Sequence, residues 1–462
     1  MSARSPTATT ATPFKLGATT VEVPAHGTAQ VKVTAEPNAI GMYSGTVIAT
    51  GTKVSVRTGI GMQVEPEKRG LKLTFTGSDG KPAQNAFAGV IDLDTEEQRN
   101  YDISGGSLDL RLEKGRRYTV VTLLADQDGT VVMAADPEFT LNADRTFAAE
   151  YAAQHDAKFG EHFALPVLYG TELAWMPYGQ VSRFTLPFHR TEYYTPGDTG
   201  WYPSFVQYKW PPEGFNDLDQ FFFGQTTVYR AGQKTSDQWN AGVFGAGLNP
   251  DGDYSWREGD LLQLSTGLFE DGVTGRHFIG EYVAPQAKLY RDGKEIHSAD
   301  YITPNIEVPA DGKESEYRYT ITADREPTMT TLSTRVSAEW RFRSKTPKPG
   351  KRPVLPLLAI KINPKLDDRN RAAVGHMRIP LHLQRQDGSP DLKVTTLTVE
   401  ISYDDGRTWL STLVHPSGKG DWSAETRHPA GTRGKFASLR VKAADTGGNA
   451  FTETVIRAYE IK

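Results

Sequence analysis

The sequence predicts an all-β chain built from tandem sandwich domains, and three observations carry that expectation. Apolar residues alternate with polar ones in short runs, as at Leu71/Leu73/Phe75, Leu108/Leu110/Leu112, Leu397/Val399/Ile401/Tyr403 and Leu439/Val441/Ala443. A period of two turns one side of a strand toward a core and the other toward water. Eight Asp-Gly dipeptides, at Asp79, Asp128, Asp251, Asp271, Asp292, Asp311, Asp387 and Asp405, mark turns between such runs. Glycine accepts the positive φ that primed hairpin turns require, so Asp-Gly between alternating segments signals a hairpin. No long 3.6-residue periodicity appears, and the Ala-rich stretch 147–153 reads as strand rather than helix.

With 462 residues, a norm of about 100–200 residues per domain gives roughly three to four domains. Residues 1–12 are Ser/Thr/Ala-rich and read as a disordered N-terminus without the apolar segment of a secretory signal. Residues 13–66 supply about four strands, half of a seven-strand sandwich, which leaves one core face bare. Residues 67–150 read as a small turn-rich sandwich. Residues 151–342 read as a larger sandwich with elaborate loops, and five of the eight tryptophans fall between Trp175 and Trp256. The basic, proline-rich run 343–353 reads as a linker. Residues 354–462 form the final, immunoglobulin-like sandwich.

A net charge of −4, from 52 Lys+Arg against 56 Asp+Glu, provides no basic field for nucleic acid. No apolar run approaches the ~20 residues of a membrane-spanning helix. Without cysteine, disulfides, thiolate metal sites and cysteine nucleophiles are all excluded.

Six segments, VEVPAHGTAQVKVT (21–34), GMYSGTVIATG (41–51), VRTGIGMQVEPE (56–67), RTEYYTPG (190–197), TTLTVEISYDDGRTW (395–409) and LRVKAADTGGNAFTETVIRAY (439–459), stand out in this order. Together they resemble the regions that follow the catalytic domain in large secreted subtilisin-like serine proteases. The resemblance implies that residues 13–66 belong to a fibronectin-III-like domain, while the compact, turn-rich residues 67–150 read on their own as a prealbumin-like sandwich. It also implies export from the cell and a protease domain as partner, lying before Met1.

The catalytic constellation of that family needs a serine nucleophile, a histidine base and an orienting aspartate. His26-Gly27-Thr28 imitates the histidine motif, and Asp198-Thr199-Gly200 and Asp445-Thr446-Gly447 imitate the aspartate motif. All three fall in turn-forming contexts, where Asp caps its own backbone. No G-T-S-[MA]-A or G-x-S-x-G segment is present, so no catalytic residue is assigned and the chain is read as lacking a triad of its own.

Three other constellations remain. Asp251 and Asp253, and likewise Asp217 and Asp219, are candidate oxygen ligands for a structural calcium ion, with no other cofactor implied. Ser402, Asp404, Gly406 and Trp409 match the sialidase Asp-box, S-x-D-x-G-x-T-W, a hairpin device rather than a sugar site. Tyr193, Tyr194, Trp201, Tyr202 and Trp210 are the candidate ligand-binding aromatics; exposed they would stack on sugars or grip peptides, enclosed they would fill a core. The sequence therefore points to an accessory region of a subtilisin-like endopeptidase. The alternative is a free-standing secreted module that binds a polysaccharide or a protein.

Overall fold

The computed structural model describes residues 13–462 except 78–79, 126–130, 136–138, 141–144, 151–157, 168–182, 186, 188–191, 195–199, 209–217, 250–253, 281, 303, 311, 326–329 and 419. The described chain is all-β, joined by turns, with one short 3-10 segment at Ala430–Thr432. The Ala-rich segment is strand through Arg145–Glu150, as its composition suggested.

The N-terminal part holds two strand pairs. Phe14–Leu16 pairs with Val33–Ala35, and Gly41–Thr50 forms a ten-residue antiparallel ribbon with Ser55–Val64. Direct cross-strand partners share a face. Tyr43/Met62, Gly45/Ile60, Val47/Thr58 and Ala49/Val56 lie on one face, and Met42/Gln63, Ser44/Gly61, Thr46/Gly59 and Ile48/Arg57 lie on the other. The first face is apolar, yet none of its residues is buried by the described residues.

The next unit is a sandwich. One sheet runs in the order Glu192–Tyr194, Val131–Ala135, Arg117–Ala125, Ala86–Asp92, Glu97–Ile103; the other in the order Arg145–Glu150, Lys68–Thr76, Ser107–Glu113. Leu71, Leu73 and Phe75 meet Ala86, Ala88, Val90, Val120 and Leu124 in its core. Its edge strand Glu192–Tyr194 comes from beyond the boundary expected at residue 150 and pairs in parallel with Val131–Met133.

The expected division at 343–353 is also corrected. A nine-stranded sheet contains, in order, Lys294–Ala299, Val283–Arg291, Ser315–Asp324, Arg335–Ser344, Ala450–Ile461, Phe436–Asp445, Val394–Ser402 and Leu410–Ser411, with Arg371–Ala372 beside Ala450–Ile461. Arg335–Ser344 and Ala450–Ile461 are hydrogen-bonded neighbours, with Trp340 opposite Phe451. One apolar core runs from Phe205 to Ile461. The Pro/Lys run is fastened down rather than free: the Arg257 N–H donates to Pro353 O over 3.2 Å, and the Arg352 guanidinium lies 4.2 Å from the Trp256 ring centroid. Composition marked a linker because prolines exclude ladder bonding, but sheet continuity is non-local and leaves no trace in composition.

A four-stranded sheet, in the order Ala359–Ile362, Gly375–Gln384, Asp421–His428, Leu413–Gly418, contributes Ile360, Ile379, Leu381 and Ala424 to the same core. A short ribbon, Gly245–Leu248 with Thr266–Glu270, contributes Ala246, Leu248 and Leu268. These elements place the candidate site.

Candidate functional site in the buried carboxylate and lysine cluster

Glu270, Lys361 and Glu453 come from three separate strands and meet inside the large core. Glu270 ends the strand Thr266–Glu270, Lys361 lies within Ala359–Ile362, and Glu453 follows Phe451 and precedes Val455 on the inward phase of Ala450–Ile461. Each is essentially without solvent contact. Lys361 Nζ donates to Glu270 Oε2 over 2.7 Å and to Asp271 O over 3.2 Å. Glu270 Oε1 is buried and has no hydrogen-bond partner among the described residues. Glu453 Oε1 accepts from the Ala246 N–H.

Two glycines make the room. A Cβ on Gly247 would lie 1.7 Å from Glu270 Oε2 and 2.9 Å from Lys361 Nζ. A Cβ on Gly245 would lie 2.2 Å from Glu453 Oε1. The Gly245-Ala246-Gly247 strand is thus a roof that touches all three side chains with backbone alone. Gln384 holds its end: Oε1 accepts from Leu248 N–H over 3.0 Å and Nε2 donates to Leu248 O over 2.6 Å.

Beside the cluster, Asp271 is also buried. Its carboxylate accepts from Arg276 Nη1 over 2.8 Å and from the Val273 N–H over 2.9 Å. The Arg276 guanidinium also reaches Asp237 and the Gln238 carbonyl, and stacks 3.8 Å from the Trp239 ring centroid. The Asp271-Gly272 dipeptide, expected as a hairpin turn, is therefore half of an interior ion pair. Asp292-Gly293 and Asp405-Gly406, by contrast, have positive φ at both positions, as a primed turn requires.

Electrostatics follow from the burial. Three carboxyls (Glu270, Asp271 and Glu453) face two cations, Lys361 and Arg276. Desolvation pushes the Glu453 carboxyl up to about 8, against weaker opposing help from the Ala246 N–H and Lys361. Glu453 is then protonated at neutral pH and adds no charge to the cluster. Desolvation also raises Glu270 and Asp271, with Lys361 and Arg276 respectively opposing the shift. Clusters of perturbed ionisable groups mark functional sites more often than ordinary cores do.

The residues singled out from sequence lie elsewhere. Trp201 is fully enclosed, with Tyr194 edge-on at 5.4 Å; it is a core residue and offers no stacking surface. Tyr194 is half-buried and stacked on Tyr229 at 4.6 Å, and Tyr202 is stacked on Phe223 at 5.8 Å, so both rings already have partners. Tyr193 pairs through its backbone with Val132, and Trp210 lies outside the described residues. Asp251, Asp253 and Asp217 also lie outside them, and Asp219 sits in the strand Leu218–Phe223. Among the described residues no group of three His, Asp or Glu side chains is placed to hold a metal ion. No helix among them is long and apolar enough to cross a membrane.

The Asp-box segment forms a capped turn. Asp404 Oδ1 accepts from Ser402 Oγ over 2.7 Å and from Thr408 N–H over 2.8 Å, and Oδ2 accepts from Thr408 Oγ1 over 2.7 Å. Those bonds, Thr408's first, hold the Asp404 carboxyl down to about 2. A Cβ on Gly406 would lie 3.2 Å from the Trp409 ring, so the indole packs directly against the turn. His26 sits in a turn where the Gly27 N–H donates to Pro24 O over 2.9 Å, and Asp445 Oδ1 accepts from Gly447 N–H at 2.9 Å and Asn449 N–H at 3.1 Å. The buried cluster was missed in the sequence, although Glu453 between Phe451 and Val455 carried a signal: a charged residue on the apolar phase of a strand.

Comparison with known proteins gives no family. No protein-family model matches the chain, and no curated protein does. Among solved structures, the Bacillus anthracis TIE protein aligns over 75% of this chain and 66% of its own, at 11% identity and a TM-score of 0.17. Trypsin-activated alpha-2-macroglobulin from Escherichia coli aligns over 96% of this chain and 39% of its own, at 12% identity and a TM-score of 0.15.

Proposed function

We propose that this chain is a non-catalytic accessory region of a secreted subtilisin-like serine endopeptidase, in which a rigid β body carries a ribbon that docks on the protease domain. The observation that carries the reading is the amphipathic ribbon of Gly41–Thr50 and Ser55–Val64. On its apolar face Val56 is exposed, and Tyr43, Val47, Ile60 and Met62 are only half-buried by the described residues. Met42, on the other face, is 80% exposed. Apolar surface left partly uncovered can serve as an interaction site, and a two-stranded ribbon is marginal without something packed on it. The sequence phrases 21–34, 41–51 and 56–67, which resemble the region after the protease domain, coincide with this ribbon and its approach.

The test is association with a purified subtilisin-like catalytic domain whose serine is blocked by a sulfonyl fluoride. The two should co-elute in size-exclusion chromatography, and Ile60→Asp with Met62→Asp should abolish co-elution while the body stays folded. Absence of a complex at micromolar concentrations, or a complex indifferent to the two substitutions, contradicts the reading. Polysaccharide binding through Trp201 is disfavoured by the enclosure of its ring.

A further inference from the structure

We propose that the Lys361 side chain and the Glu270 side chain become covalently joined by an amide bond between Nζ and Cδ, with Glu453 relaying the proton. The proposal rests on the juxtaposition in the core and is independent of the docking reading above.

Four observations converge. The amine nitrogen already lies 2.7 Å from a carboxyl oxygen of Glu270, with both side chains enclosed. Such contact supplies the high effective concentration of an intramolecular reaction. The other carboxyl oxygen, Oε1, is buried without a hydrogen-bond partner among the described residues. An ionised carboxylate left in that state is poorly solvated, and the hydrogen bond from Nζ to Oε2 is the path by which a proton passes to Glu270 and frees the Nζ lone pair. Burial raises Glu270, which acts in the same direction. Glu453 interacts electrostatically with both Lys361 and Glu270 and is protonated at neutral pH. Gly245 and Gly247 let the roof strand close on the three groups.

The step balances without an oxidant or a cofactor. The Nζ lone pair attacks Cδ of the protonated Glu270 carboxyl, forming the N–C bond and a tetrahedral centre. Glu453 delivers its proton to the departing hydroxyl and takes one from Nζ. The C–O bond breaks and one water leaves. Glu453 ends as it began, as a general acid and base must. The product amide is neutral, so it removes two charges from the core. It also ties together strands 91 residues apart in sequence.

The experiment is intact-mass spectrometry of the full chain after folding at neutral pH, followed by tryptic mapping. The expected mass is that of the sequence less one water. Trypsin should not cut after Lys361, and residues 258–276 should appear joined to residues 352–365. Glu453→Gln should retain the full mass, with Lys361 cleavable, while far- and near-UV circular dichroism show a folded chain. Lys361→Arg should also retain the full mass. A folded wild-type chain with the full sequence mass after prolonged incubation overturns the proposal. Loss of water in Glu453→Gln overturns the role given to Glu453, and a cross-linked pair that maps elsewhere overturns the assignment of Lys361 and Glu270.

Discussion

The strands Arg335–Ser344 and Ser55–Val64 alternate in the same way, yet one fills the core and the other is covered only in part. Val336, Ala338, Trp340 and Phe342 face inward and are all buried, with Trp340 between Tyr319 at 6.1 Å and Phe451 at 5.4 Å. Of the equivalent phase, Val56 is exposed and Ile60, Met62 and Val64 are only half-buried. Alternation therefore fixes which face is apolar, and the neighbouring layers decide whether that face is covered. Full burial of such a side chain is worth about 1.5–3 kcal/mol, so the two strands contribute very differently to stability.

The largest effects should come from the covered region. Trp340→Ala should cost about 3–5 kcal/mol in chemical denaturation, whereas Ile60→Ala should stay near 1 kcal/mol or less, because little burial is lost. Equal losses at the two positions would break the comparison. Lys361→Met alone should also cost about 3–5 kcal/mol, since it leaves Glu270 without its partner in the interior. Lys361→Met with Glu270→Leu should recover much of that loss, and failure to recover would place the cost in packing instead.

Next in size is the pH dependence of the body. Glu453 rises from 4.5 to about 8 on folding. The unfolded chain therefore loses this proton first, and the contribution, at most about 5 kcal/mol, fades as pH climbs from about 4.5 to 8. His428 is buried beside Tyr403 and Tyr459, and desolvation lowers it from 6.5 to about 4. There the unfolded chain binds the proton first, so stability falls as pH drops from about 6.5 to 4, by at most about 3 kcal/mol. The two windows overlap from about pH 4.5 to 6.5, where the opposing slopes offset, so stability should be level there and fall on either side. Glu453→Gln should flatten the alkaline limb and His428→Phe the acid limb, each read from urea midpoints against pH; unchanged limbs would refute the assignments. The smallest effect sharpens the comparison: Asp404→Ala, which unmakes a turn cap with three short bonds, should cost about 1–2 kcal/mol.

Strand phases were legible in the sequence where alternation meets a covered face, even though the pairing partners are distant. Leu71, Leu73 and Phe75 lie in the strand Lys68–Thr76 and Leu439, Val441 and Ala443 in Phe436–Asp445, and all six are buried as their spacing implied. Val21 and Val23 alternate equally well but lie in no strand, because no described neighbour offers them a ladder. The sheet that unites Arg335–Ser344 with Ala450–Ile461 joins segments more than a hundred residues apart, and only tertiary packing selects that pairing. The Glu270–Lys361–Glu453 cluster was hidden for the same reason: its members become a site only when three distant strands meet. Trp201 shows the converse, since aromatic richness could not tell enclosure from display.

Amide hydrogen exchange on the isolated chain, resolved by peptide, tests the contrast most directly. Amides of the Gly41–Thr50 and Ser55–Val64 ribbon should exchange by local opening well before those of Arg335–Ser344 and Ala450–Ile461, which should exchange only on global unfolding. Matching protection in the ribbon and the central sheet would contradict the account.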